Sequence, residues 1–187
     1  MSLSHAQATQ RFYDVIWPLR GALLRTASFL MSPGSQAEDL VQETLMKAFR
    51  AIESLDVKSN PQAWLMSILR NTRIDKLRAQ ARSPETVGLE DLDVAAPLSP
   101  PERADQNIDP AETLEQFSDR EIIRALQQLP EDIRWTLLLV DVEQMEYEQA
   151  AAILDIPAGT AKSRVHRGRM MLRNSLLAAG AANGEAS

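Results

Sequence analysis

Residues 83–110 carry Pro84, Pro97, Pro100, Pro101 and Pro110 without any apolar periodicity, and no other feature constrains the fold as strongly. Proline removes a backbone donor, fixes φ and biases its predecessor to extended geometry, so such a stretch does not continue a packed helix. It reads as a linker. Two short pieces remain, and each must build a small core of its own. The expected division is a first domain over residues 1–82, a flexible linker over 83–116, a second domain over 117–178 and a disordered tail over 179–187. The tail is small and polar, as fraying ends are.

The pieces read as all-α. Glycine is sparse, at 7 of 187 residues, and the β-branched and aromatic runs of strands are missing. Alanine, leucine, glutamate, glutamine and arginine dominate, all favourable in helices. In the first piece Phe12, Ile16, Leu19, Leu23 and Leu24 recur at helical spacing, with Pro18 starting or kinking a turn. Ser35 and Glu38 have the spacing of a capping box. The next helix buries Leu40, Val41, Leu45, Ala48, Phe49 and Ile52. Asn60 then Pro61 is an N-cap followed by proline at the first helical position. Trp64, Leu65, Ile68, Leu69 and Leu77 form the apolar stripe of the helix that follows, and Trp64 reads as core packing.

In the second piece Ile122, Ile123, Leu126 and Leu129 end at Pro130, and Ile133, Leu137, Leu138 and Val140 follow. Tyr147 to Leu154, a break at Asp155–Ile156–Pro157 and a basic helix from about Gly159 to Leu177 form a helix-turn-helix pattern. Ala151 is small enough for the second helix to cross closely.

Net charge is −6, which alone argues against nucleic acid, but its distribution argues for it. Arg70, Arg73, Lys76, Arg78 and Arg82 are opposed only by Asp75. Lys162, Arg164, Arg167, Arg169 and Arg173 stand beside His166 with no acid among them. The connector is acidic. Two basic helices around an acidic connector predict two nucleic-acid contacts on one chain. A single charge run is usually a solvated face; two, each inside a motif, are harder to explain that way. Thr160, Lys162, Ser163, Arg164, His166 and Arg167 suit a helix that projects donors into a major groove. Asn71 carries an amide able to read a base edge, although taken alone it is an ordinary surface residue.

Cysteine is absent, which excludes disulfides and thiolate-ligated metals. His5 and His166 are the only histidines, and no nucleotide loop or nucleophile–base arrangement appears. Neither cofactor, metal nor enzymatic activity is expected. No apolar run is long enough to span a membrane, and Met1 to Gln10 lacks the pattern of a secretory signal. A soluble cytoplasmic protein is expected.

Three blocks resemble one family. Ala37-Glu38-Asp39-Leu40-Val41-Gln42-Glu43-Thr44 with Lys47-Ala48-Phe49-Arg50 is similar to region 2 of extracytoplasmic-function sigma factors. Pro61-Gln62-Ala63-Trp64-Leu65 through Arg70-Asn71 to Ile74-Asp75-Lys76-Leu77-Arg78 resembles that region's promoter-reading helix. Leu129-Pro130-Glu131 through Ala150-Ala151 to Gly159–Arg169 resembles region 4. The resemblance implies a protein that binds core RNA polymerase and directs promoter recognition, melting and initiation, for a stress-response regulon. Asp39, Gln42, Glu43 and Lys47 would dock on the β′ clamp helices, with the β flap as a further contact. Asn71, Arg70, Arg73, Lys76 and Arg78, with the loop Ser54 to Asn60, would read the minus-ten element and hold a flipped base. Thr160, Lys162, Ser163, Arg164, His166, Arg167 and Arg169 would read the minus-thirty-five duplex. The linker would thread toward the RNA exit path, and an anti-sigma factor would be a partner.

Two departures stand out. Asp155 occupies a turn where the family often has glycine, and aspartate tolerates left-handed geometry. Ala161 stands where a larger apolar residue is common, which predicts looser packing of the recognition helix. A stand-alone helix-turn-helix regulator is the main alternative, but it leaves the Asp39–Glu43 face and the Trp64–Arg82 helix unexplained. A decoy that titrates an anti-sigma factor is the other.

Overall fold

The computed structural model describes residues 4–31, 36–56, 59–82 and 119–184. These residues form helices and short connections, with no strand among them. Ser35 and the stretch read as a linker lie outside the described residues.

Helix α1 (His5–Arg11) opens on a reciprocal cap. The Ser4 hydroxyl accepts from the Gln7 amide, and the Gln7 side chain accepts from the Ser4 amide. A π turn (Phe12–Ile16) and a 3-10 turn (Trp17–Leu19) then carry the chain into α2 (Arg20–Leu30). Pro18 explains the break: it donates no hydrogen bond, and its ring crowds the carbonyl four residues back. Phe12, Ile16 and Leu23 are buried, as their spacing predicts.

Helix α3 (Gln36–Arg50) buries Leu40, Val41 and Ala48. Helix α4 (Pro61–Arg82) begins as the Asn60–Pro61 pair predicts. The Asn60 side-chain oxygen accepts from the amides of Gln62 (3.0 Å) and Ala63 (3.4 Å). Leu65 and Leu69 are fully buried on α4, and Trp64 packs partly buried against the same core.

Helices α5 (Asp119–Gln127) and α6 (Glu131–Leu137), a π turn (Leu138–Val142), α7 (Tyr147–Leu154) and α8 (Ala158–Gly184) complete the chain. Asp155 adopts φ 55°, ψ 50° between α7 and α8, so the left-handed turn expected of it is present. Ala161 is fully buried. At Gly168 a Cβ would stand 2.7 Å from both Ile133 and Leu137, so α8 crosses α6 at a distance only glycine permits. One difference from the sequence reading lies at the C-terminus. Helix α8 continues to Gly184, into the stretch expected to be disordered. Alanine dominates Leu177–Ala182, and its high helix propensity carries the helix on.

The two sets of helices pack together. Trp135, Leu138, Leu139, Met145 and Ala150 share one buried cluster with Leu30, Leu65 and Leu69. Each set also satisfies a helix end of the other, where carbonyls have no intrahelical partner. The Gln127 amide donates to Met31 O (3.0 Å) and Arg134 to Leu30 O (3.5 Å), at the end of α2. In return, Arg70 donates to Leu154 O (3.2 Å), at the end of α7.

Candidate nucleic-acid interface

Over the first turns of α8, residues 158–170, the exposed positions are Gly159, Lys162, Ser163, His166 and Arg169, which follow one another at helical spacing. Ala161, Val165 and Gly168 face inward. Thr160, Arg164 and Arg167 are half-buried at the edges of that face, and the Ser163 hydroxyl donates to Thr160 O (2.9 Å). The Lys162 ammonium lies 5.6 Å from the centre of the Tyr147 ring, a cation–π distance.

Two of these cations are held by acids of the same set of helices. Arg164 pairs with Asp132 at 3.1 Å. Arg169 makes two bonds to Asp141, at 2.6 and 3.1 Å. Hydrogen bonding to Asp141 raises the Arg169 pKa above its ordinary value, outweighing the opposing effect of burial. The fork fixes the plane of the Arg169 guanidinium before any ligand arrives, whereas Arg164 has a single contact with its acid.

The five candidates on α4 do not share one face. Asn71 and Arg78 are exposed, two turns apart on one stripe. Arg70 and Arg73 turn toward the second set of helices. Arg73 makes a forked pair with Glu131, at 3.0 and 3.3 Å, and its side chain is only 12% exposed. Lys76 pairs with Glu43 at 3.4 Å.

That last pair links α4 to the acidic face of α3. Lys47 bridges Glu43 (3.3 Å) and Asp75 (3.1 Å), so Glu43, Lys47, Asp75 and Lys76 form one surface network. Burial opposes the charge on Lys47, but the hydrogen bonds to Asp75 and Glu43 outweigh it, and its pKa is raised. Asp39 and Gln42 remain exposed. Gln42 also edges a groove of about 590 Å³ between α3 and the turns before α2, lined by Phe12, Trp17, Arg20, Leu45, Met46 and Phe49 among others. Trp17 and Met46 are exposed large apolar side chains there, and the Arg20 guanidinium lies 5.6 Å from the Trp17 ring.

One functional-looking residue escaped the sequence reading. Glu143 is the only buried charged residue among those described. Its Oε1 accepts from Thr26 Oγ1 (2.8 Å) and Arg25 Nη2 (3.3 Å), and its Oε2 from Gln62 Nε2 (2.8 Å). All three donors belong to the first set of helices. It sits in a run rich in acids, from Asp141 to Glu148, where nothing in the sequence distinguishes the buried one.

The chain matches the family models for Sigma-70 region 2 over residues 18–83 and Sigma-70 region 4 over residues 119–172. It is 34% identical over 152 residues to the ECF RNA polymerase sigma-E factor of Escherichia coli, covering 77% of this chain and 75% of that one. The factor of the same name from Haemophilus influenzae is 34% identical over 143 residues, covering 74% and 73%. Among solved structures, the sigma factor RpoE of Bartonella quintana, in complex with the anti-sigma factor NepR, matches with a TM-score of 0.68 and 33% identity over 88% of this chain and 96% of that one. CnrH, in complex with the cytosolic domain of CnrY, shares the fold at a TM-score of 0.62 and 23% identity, over 94% and 95%. With both regions present in order, and with relatives matched across most of their own length, the chain belongs to the extracytoplasmic-function family of RNA polymerase sigma factors, which direct transcription initiation.

Proposed function

We propose that the two helix sets divide promoter recognition between them. Residues 1–82 bind core polymerase and the melted minus-ten strand, 117–178 bind the minus-thirty-five duplex, and 83–116 connect them. The observation that carries this reading is that each set presents an exposed polar face on a basic helix: Asn71 and Arg78 on α4, and Lys162, Ser163, His166 and Arg169 on α8.

The α8 face suits a major groove. Ser163 and His166 point at base edges, and Lys162 and Arg169 flank them as phosphate contacts. Arg164, paired with Asp132 through one contact, stands at the edge of the face. On α4, Asn71 is placed to read an extruded base, with Arg78 neutralising phosphate beside it. Unstacking a base costs a few kcal/mol. Binding energy from such contacts offsets that cost, so melting needs no ATP. Asp39 and Gln42 form the accessible part of the core-binding face, and the Trp17–Met46 groove beside Gln42 supplies apolar area for a clamp helix. Glu43 and Lys47 contribute once their network with Asp75 and Lys76 rearranges. The matched Bartonella protein was crystallised with an anti-sigma factor, which supports an inhibitor of the same kind here. A factor with these partners acts in the cytoplasm, and the reading assigns it no catalytic step of its own.

Permanganate footprinting of promoter DNA with core polymerase tests the division. The parent protein opens thymines around the minus-ten element. Asn71→Ala retains polymerase and duplex binding but loses that reactivity. Full reactivity in Asn71→Ala would remove α4 from strand recognition.

A further inference from the structure

Glu143 serves neither DNA-reading face, yet its carboxylate is the most completely enclosed charge among the described residues, with its side chain 0% exposed. A carboxylate taken from water is tolerated only where donors replace the lost hydration. Here Thr26, Gln62 and Arg25 do so, and Gln62 also lies 3.4 Å from the Glu143 backbone carbonyl. The geometry is local and specific: Gln144 follows at φ 54°, a left-handed conformation that a non-glycine residue adopts at some cost. Every donor comes from α2 or α4, while the acceptor comes from the turn before α7. The contact therefore exists only while the two helix sets are closed on one another.

Closure has a consequence for α4. Arg70 is engaged by Leu154 O and Arg73 by Glu131, both in the second set. Two of the basic residues assigned to the minus-ten strand are thus occupied within the chain itself. Polar contacts of this kind suit a reversible closure. On opening, water hydrates both the carboxylate and its donors, while Trp135, Leu138 and Leu139 leave the apolar cluster they share with Leu30, Leu65 and Leu69.

We infer that Glu143 is an autoinhibitory latch. Its carboxylate, seated in the Arg25–Thr26–Gln62 socket, holds the free sigma factor closed and keeps Arg70 and Arg73 from single-stranded DNA until the two units separate. The masking half rests on the assignment of α4 to the minus-ten strand; the closure half stands without it.

The full chain contains no cysteine, so paired spin labels can be placed cleanly. Ala79→Cys on α4 and Ala152→Cys on α7 are both exposed and report the separation of the units. The latch gives one narrow distance distribution in the otherwise unaltered protein. It gives a longer, broad distribution in Glu143→Lys, and again in Thr26→Val/Gln62→Leu, which removes the two neutral donors of the socket without changing charge. Circular dichroism identifies variants that keep their helices, and the socket variant serves if Glu143→Lys loses them. An unchanged distribution in folded variants overturns the latch. The second arm measures binding of a short fluorescent single-stranded DNA of random sequence. The charge-neutral socket variant binds about tenfold tighter if about one molecule in ten is open in the parent. Opening with equal affinity in both proteins overturns the masking. Opening with no DNA binding by either protein supports the latch and overturns the α4 assignment instead.

Discussion

The two basic helices look alike as charge runs, yet their cations are partnered differently. On α8, Arg164 and Arg169 are held by Asp132 and Asp141, which belong to the same set of helices and accompany α8 wherever it goes. On α4, Arg70 and Arg73 are held by Leu154 O and Glu131, across the boundary between the sets. The first kind of pairing orients a side chain; the second is conditional on how the sets are arranged. Counting basic residues shows where nucleic acid can bind but not when the residues are available.

Leu69→Ala on α4 removes a fully buried side chain from the shared core and should cost about 2–5 kcal/mol. Gly168→Val on α8 should cost about 1–3 kcal/mol by forcing Ile133 and Leu137 away. Chemical denaturation of both variants tests whether the sets unfold together. A single transition shifted by either change supports the shared core, and two separate transitions would contradict it.

The cations come next. Arg164→Ala should cost about 1–3 kcal/mol of promoter affinity, concentrated at one base pair, if the side chain pairs bidentately with guanine. An equal loss on every promoter sequence, in a competition assay, would make it a phosphate contact. Asp132→Ala should leave duplex affinity within about 1 kcal/mol while broadening the preference at that base pair, because Arg164 loses its orienting partner. A sharper preference would mean that Asp132 competes with DNA instead of orienting the arginine.

The smallest effect belongs to the α3–α4 network. Lys47→Ala should change stability by about 0–1 kcal/mol, since its partners are substantially exposed and salt screens them. Gln42→Ala with Asp39→Ala should leave stability unchanged and weaken binding to core polymerase. Unimpaired polymerase binding in that double variant would relocate the docking face.

The local features were legible because their causes are local. Asn60 and Pro61 announce the start of α4, Asp155 supplies a left-handed turn, and the apolar spacing marks Leu65, Leu69 and Leu138 as core. The inward and outward sides of α8 also follow from the 3.6-residue period. What was not legible depends on the tertiary arrangement. That Arg70 and Arg73 are engaged within the chain was not legible, because sequence cannot show that a second set of helices packs against them. Glu143 reads as one more surface acid for the same reason. The π turns at Phe12–Ile16 and Leu138–Val142 add to the difficulty, since within each the 3.6-residue period does not hold.

Run-off transcription with bacterial core polymerase, on a library of promoter fragments, tests the division of recognition most directly. With the parent protein, transcripts start at discrete sites that share a minus-ten and a minus-thirty-five element. Asn71→Ala should relax selection at the first element only, and Ser163→Ala with His166→Ala at the second only. Either variant altering selection at the other element, or neither altering selection at all, would contradict the account.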